Sequence, residues 1–234
     1  RSELANAGLA ELPVEVLVAT NGLDCTPEWL AARGFSTYPD WRIPDSDNRW
    51  WNREMRPGEI GCAISHIAAW SLAKSRSWSN VLVLEEDFKA EGPTLAPEQF
   101  ERLPPDWDMI YLGRNPLRPD RRVIDAHLVK PGASYTSHAY VLSAGGIDKL
   151  LAQRLERCLI PLDEFLIATY VRHPRKDLTM FATNSQTFAL RTDVIGQTSV
   201  DMTSTTERPP LSGGDLVEKP KPADAPSNLA VVGR

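Results

Sequence analysis

The segment Val81-Leu82-Val83-Leu84-Glu85-Glu86-Asp87 sets three adjacent carboxylates at the end of a four-residue apolar run. Two of the four are β-branched, and the run reads as a short strand buried on both faces. Neighbouring negative charges repel, and burying them without a partner is costly. A buried strand running into Glu85, Glu86 and Asp87 therefore points to a divalent cation at the strand's carboxyl end, where open α/β sheets bind ligands; a solvated acidic turn is the plain alternative. A second acidic pair, Asp163 and Glu164, follows Ile160-Pro161-Leu162 at the start of a helix. Carboxylates there also complement the helix dipole. Cys62 and His66 stand four apart, the spacing that puts two metal ligands on one helical face. Two ligands alone do not make a site, and a helical histidine is more often a hydrogen-bonded structural residue.

These groups need elements to hold them. Val14–Ala19 reads as a first strand, ended by the turn residues Thr20-Asn21-Gly22. Thr26 and Pro27 open a short helix that Gly34 stops. Residues 36–57 are irregular, with Trp41, Trp50 and Trp51 interleaved by Arg42, Arg49, Arg53 and Arg56, either a sugar- or nucleotide-binding loop or tryptophans packed in the core. Residues 57–70 form a helix with an apolar stripe of Ile60, Ile64 and Ile67, and with Glu59, Cys62 and His66 on another face beside Ser65. A loop with a short helix at 97–103 precedes a strand over 108–114, which ends in Gly113-Arg114. Arg114 could pair with a phosphate or form a structural salt bridge. Residues 115–134 read as a flexible excursion, 137–142 as a strand, and Ser143 as the cap of a helix containing Ile147, Leu150 and Leu151. Residues 185–190 read as a last strand. From Glu207 onward prolines, lysines and small residues dominate, which predicts a disordered tail over 207–234 behind one domain over 1–206.

The totals exclude several classes. The chain has 234 residues, 42% hydrophobic and 24% charged, an ordinary globular composition. Its 26 Lys and Arg against 31 Asp and Glu leave −5, which argues against a nucleic-acid partner. No run of 18 apolar residues marks a transmembrane segment. The N-terminus shows no apolar signal-peptide core, although the first residue is Arg1, so a removed leader stays open. Three widely spaced cysteines, Cys25, Cys62 and Cys158, fit neither a disulfide framework nor a zinc site and point to a reducing, cytoplasmic compartment.

Four blocks in order resemble glycosyltransferase family 25, which includes bacterial lipooligosaccharide galactosyltransferases and collagen hydroxylysine galactosyltransferases. Gly58-Glu59-Ile60-Gly61-Cys62-Ala63-Ile64-Ser65-His66 is similar to the family's G-E-x-G-C-x-x-S-H, and Leu84-Glu85-Glu86-Asp87 to its L-E-D-D. Asp106-Trp107-Asp108-Met109-Ile110-Tyr111-Leu112-Gly113-Arg114 resembles D-W-D-x-I-Y-x-G-R, and Ile160-Pro161-Leu162-Asp163-Glu164-Phe165 resembles P-x-D-E-F/Y. The likeness covers roughly residues 55–175. It departs at Thr20–Asp24, where the family's loop has an arginine, at Glu86, where Asp is usual, and at Ile195-Gly196-Gln197, where the collagen enzymes carry a histidine.

The resemblance implies a GT-A type α/β fold with a mixed central sheet flanked by helices. It also implies a UDP-sugar donor, best guessed as UDP-galactose, and inverting transfer to an acceptor hydroxyl on a glycan, a lipid-linked sugar or hydroxylysine. On that reading Mn²⁺ or Mg²⁺ sits on Asp87 and Glu85, with Glu86 beside them, and stabilises the departing diphosphate. Asp163 or Glu164 takes the acceptor's proton, with Asp163 favoured. Glu59, Ser65, His66 and Arg114 line the donor or acceptor pocket. The rival is a non-catalytic sugar- or protein-binding module on the same fold, which the altered first loop and Glu86 favour. A nucleotidyltransferase would want a Gly-rich phosphate loop, and the sequence has none.

Overall fold

The computed structural model describes residues 1–38, 55–92, 103–172, 178–184, 188–190 and 228–233. The expected tryptophan- and arginine-rich loop (Trp41, Arg42, Arg49, Trp50, Trp51, Arg53), the short helix at 97–103 and residues 185–187 of the last strand lie outside them. In chain order the helices are α1 (Ser2–Asn6), α2 (Pro27–Ala32), α3 (Pro57–Ser75), α4 (Ala144–Ala152) and α5 (Leu162–Ile167). The strands are β1 (Val14–Val18), β2 (Asn80–Glu85), β3 (Phe88–Ala90), β4 (Met109–Pro116), β5 (Arg122–Val123), β6 (Leu128–Lys130), β7 (Ser134–Ser143), β8 (Met180–Thr183), β9 (Phe188–Leu190) and β10 (Asn228–Gly233). Eight strands form one mixed sheet in the order β1-β10-β2-β7-β4-β8-β6-β5, and β3 pairs with β9 apart from it. This is an α/β protein with a mixed central sheet flanked by helices, consistent with a GT-A-like fold.

Side-chain alternation along the central strands splits the interior into two layers. Val81 and Val83 of β2, Met109 and Tyr111 of β4, and Tyr140 and Leu142 of β7 face a cluster shared with Ile64, Ile67 and Trp70 of α3, Ile147 and Leu150 of α4, and Phe165 and Leu166 of α5. Leu82 and Leu84, Ile110 and Leu112, and Ala139 and Val141 face the other side, against Leu4, Phe181 and Phe188. Both faces of the middle strands are covered, which is why Val81–Leu84 reads as an unbroken apolar run.

Helix α3 differs from its expected form. It runs on to Ser75, and burial takes in Glu59, Ser65 and His66 as well as Ile64 and Ile67. A helix buried nearly all round belongs in the interior, so its polar residues need partners inside the protein. Two glycines let the loop after β1 close on this helix. A Cβ on Gly61 would lie 2.4 Å from the Thr20 carbonyl oxygen, and one on Gly22 would lie 1.6 Å from that of Pro57.

Two expectations change. The supposed flexible excursion holds the β5–β6 hairpin, turned by Asp125, whose Oδ1 accepts from the backbone N–H groups of His127 and Leu128. Leu128 and Val129 are buried, and β6 pairs with β8. The supposed tail ends in β10, which lies between β1 and β2. Its Leu229-Ala230-Val231-Val232 run is strand-like, a short local signal set behind a proline-rich window. Residues 207–227 lie outside the described residues.

Asp108 ties three elements together at the start of β4. Its Oδ2 accepts from Lys149 Nζ of α4 and from the Thr179 backbone N–H ahead of β8, each at 2.6 Å. Its carbonyl accepts from Ser143 N at 2.9 Å, and a Cβ on Gly146 would stand 2.2 Å from that oxygen. Asp108→Ala leaves the Thr179 donor unsatisfied, and chemical denaturation should show a loss of roughly 2–3 kcal/mol.

Candidate active site at the carboxyl end of β2

The alternation that sends Val81 and Val83 towards α3 sends Glu85 there too. Glu85 Oε1 lies 3.1 Å from His66 Nε2 and accepts from Ser137 Oγ at 2.7 Å. His66 Nδ1 lies 2.6 Å from the Tyr140 hydroxyl, which also accepts from Trp70 Nε1 at 2.9 Å. An indole can only donate, so the Tyr140 proton is available for His66 Nδ1, and His66 Nε2–H then donates to Glu85. This tautomer satisfies the whole chain from Trp70 to Glu85. The His66 and Tyr140 rings stack at 5.7 Å. Burial pushes the Glu85 carboxyl up, but the hydrogen bond from His66, the attraction of a charged imidazole there and the hydrogen bond from Ser137 outweigh it, and the net shift is downward.

Cys62 lies one turn before His66. Burial first, and then the charges of Glu85 and Asp163, hold its thiol well above the usual range. Donor atoms of Cys62, His66 and Glu85 lie within 4.8 Å of one another, the one such group among the described residues. Both imidazole nitrogens of His66 are engaged, so the group forms a hydrogen-bonded knot around the histidine.

The second acidic pair reaches the same place through β7. Between the pairs Gly113↔Ala139 and Asn115↔Tyr135, the three β7 residues Thr136–His138 stand opposite Arg114 alone. This bulge re-aims the strand. Ser137 turns to Glu85, the Tyr135 hydroxyl donates to Glu164, and the Thr136 backbone N–H donates to Asp163. Thr136 adopts φ 71°, a left-handed backbone rare for a β-branched residue. Burial pushes the half-buried Asp163 carboxyl up to about 7; the Thr136 N–H opposes this, and the charges of Glu85, Glu164 and Glu59 add to it.

The remaining expected site residues are placed as follows. Glu85, His66, Asp163 and Glu164 come together. Asp87 is buried and Glu86 exposed in the turn after β2, and neither falls in the group within 4.8 Å among the described residues. Glu59 Oε2 accepts from the Arg56 backbone N–H at 2.8 Å and so caps α3, while its charge still acts on Asp163. Ser65 Oγ donates to the Gly61 carbonyl at 2.7 Å and accepts from Thr20 N at 2.9 Å, pinning the loop after β1 to the helix. Arg114 donates to Ser134 Oγ at 3.1 Å and to Asp120 Oδ2 at 2.8 Å, the structural salt bridge weighed against a phosphate contact.

Sequence reasoning missed Trp70, Tyr140, Thr136 and His138. His138 is buried, donates from Nε2 to the Phe188 carbonyl at 3.2 Å, and is kept neutral by burial. For Thr136, His138 and Tyr140 the available signal was polar side chains within a strand that packs on both faces, since each must find a partner or a ligand.

Asp163 also predicts a pH dependence of stability. Its folded value lies above the ordinary 3.8, so between about 4 and 7 the native state binds more protons than the unfolded chain. Its contribution is present at low pH and is lost as pH rises through that window. Denaturant titrations of Asp163→Asn against wild type should show the variant gaining relative stability from pH 4 to pH 7.5; a constant difference would contradict the burial described.

Residues 42–92 match the model of glycosyltransferase family 25, described as LPS biosynthesis protein. A Bos taurus protein named probable inactive glycosyltransferase 25 family member 3 is 34% identical over 176 residues, 71% of this chain and 28% of that protein. Danio rerio procollagen galactosyltransferase 1 is 32% identical over 175 residues, with coverage of 70% and 28%. A glycosyltransferase 25 family member of Drosophila pseudoobscura pseudoobscura is 34% identical over 177 residues, with coverage of 72% and 27%. The chain thus spans a little over a quarter of the length of these relatives. With four motif blocks in order on a mixed α/β sheet, the chain belongs to glycosyltransferase family 25.

Proposed function

We propose that this chain transfers a hexose, galactose in the first instance, from a UDP-sugar to an acceptor hydroxyl with inversion, and that Asp163 is the general base. The observation that carries this is Asp163 itself. It is a carboxyl raised to about 7 at the carboxyl end of the central strands, held by the Thr136 N–H and facing Glu85, Glu164 and Glu59. A base is most effective when its pKa lies near the working pH. The acceptor oxygen attacks the anomeric carbon as its proton passes to Asp163, the bond from that carbon to the diphosphate oxygen breaks, and the electron pair leaves with UDP. Glu164, anchored by Tyr135, is placed to bind an acceptor hydroxyl or amine.

The family resemblance implies a divalent cation, and the residues fit one. Glu85 and Asp87 offer hard oxygen donors, with Glu86 beside them, and the carboxylate charges that add to the effect of burial on Asp163 make a field that a cation would relieve. Bound there, Mn²⁺ or Mg²⁺ would stabilise charge on the departing diphosphate. His66 and Ser137 keep Glu85 ionised and fixed for that role. The procollagen galactosyltransferase name and the LPS description supply two acceptor classes to try, a hydroxylated collagen peptide and a bacterial saccharide.

A second reading, a non-catalytic sugar- or protein-binding module, is favoured by relatives whose names call them inactive and by the arginine-free loop Thr20–Asp24. UDP-galactose turnover with Mn²⁺ separates the two. Wild type should release UDP, Asp163→Asn should lower kcat by about 10²- to 10⁴-fold with donor affinity near wild type, and the product should be inverted. Asp87→Asn should abolish Mn²⁺-dependent donor binding while the metal-free melting temperature barely moves. Calorimetric donor binding without turnover on any acceptor would favour the binding module, and a retained anomeric configuration would overturn Asp163 as base.

A further inference from the structure

Thr136 carries more than a backbone contact. Its φ of 71° is a costly conformation for a β-branched side chain. Its Oγ1 is buried and has no hydrogen-bond partner among the described residues. A glycine would adopt the same backbone without strain and present the same N–H to Asp163. Holding Asp163 therefore accounts for the backbone but not for the hydroxyl, and a buried hydroxyl without a partner costs stability unless a ligand satisfies it.

Its position says which ligand. The next residue, Ser137, donates to Glu85, at the end proposed to hold the diphosphate. Its own N–H is on Asp163, the group proposed to face the acceptor oxygen. In an in-line displacement the transferred ring lies between leaving group and attacking oxygen. We propose that Thr136 Oγ1 hydrogen bonds a ring hydroxyl of the donor's hexose, which makes Thr136 a sugar-binding residue. This rests on the nucleotide-sugar reading above.

Calorimetry of the full chain with Mn²⁺, using UDP and UDP-galactose as separate probes, tests it. Thr136→Val keeps the shape and removes the hydroxyl, and should weaken UDP-galactose about fivefold while leaving UDP within error. Thr136→Ser should restore the sugar affinity. Thr136→Gly keeps the backbone without strain, should melt no lower than wild type, and should discriminate against UDP-galactose as the valine does; it serves if the valine variant fails to fold. Unchanged UDP-galactose affinity in the variants that fold, or parallel weakening of UDP, would overturn the sugar contact while the nucleotide reading stands. A wild type that binds neither probe would overturn both.

Discussion

A carboxylate at the end of a buried strand is the constraint on which the rest of the site depends. Glu85 must lie on the α3 side because Val81 and Val83 do. There it would be intolerable without donors. His66 and Ser137 supply them, and the Tyr140 hydroxyl donates to His66 Nδ1 in the tautomer that leaves Nε2–H for Glu85. Tyr140 is fixed in turn by Trp70, which is fully buried one turn along α3 from His66. One charge thus accounts for four polar side chains drawn from a helix and a neighbouring strand. A satisfied network of this kind is rigid, because losing any member exposes the next to an unmet hydrogen bond.

The two acidic groups have opposite electrostatic fates, although both are partly buried. Glu85 accepts two hydrogen bonds and is shifted down; Asp163 has one backbone donor and three carboxylates in range, and is shifted up. Pushing neighbouring carboxyls apart is how one site holds an ionised group and a proton acceptor at the same pH. The bulge in β7 makes this division possible, since Ser137 serves one carboxylate and Thr136 the other. In a regular strand the Thr136 N–H would lie in the plane of the sheet, directed at a neighbouring strand, while the Ser137 side chain pointed out of it.

Much of this architecture was legible in the sequence. The run 81–84, the strand over 108–114 and the Ser143 cap were visible because each rests on a local pattern, and Ser143 Oγ does accept from Gly146 N. The meeting of Glu85 with Asp163 was not visible, because 77 intervening positions and a bulge separate them and no periodicity encodes a bulge. The β5–β6 hairpin and β10 were misjudged for a shared reason. Averaging over proline- and charge-rich windows hid short apolar runs that pair only when a distant strand offers an edge.

The motif blocks divide their residues between chemistry and architecture, and the division follows side-chain size. In Gly58–His66, Gly61 has no Cβ because the Thr20 carbonyl occupies that space, and Ser65 binds the same loop through its backbone. His66 binds the carboxylate directly, with Cys62 beside it. In Asp106–Arg114, Asp108 clamps α4 and the chain before β8, while Gly113 leaves room for the His138 ring, whose Nε2 would lie 2.2 Å from an added Cβ. The block around Glu85 and the block around Asp163 supply the charge. The resemblance of the first and third blocks speaks for the fold, and the case for catalysis rests on the carboxylates of the other two.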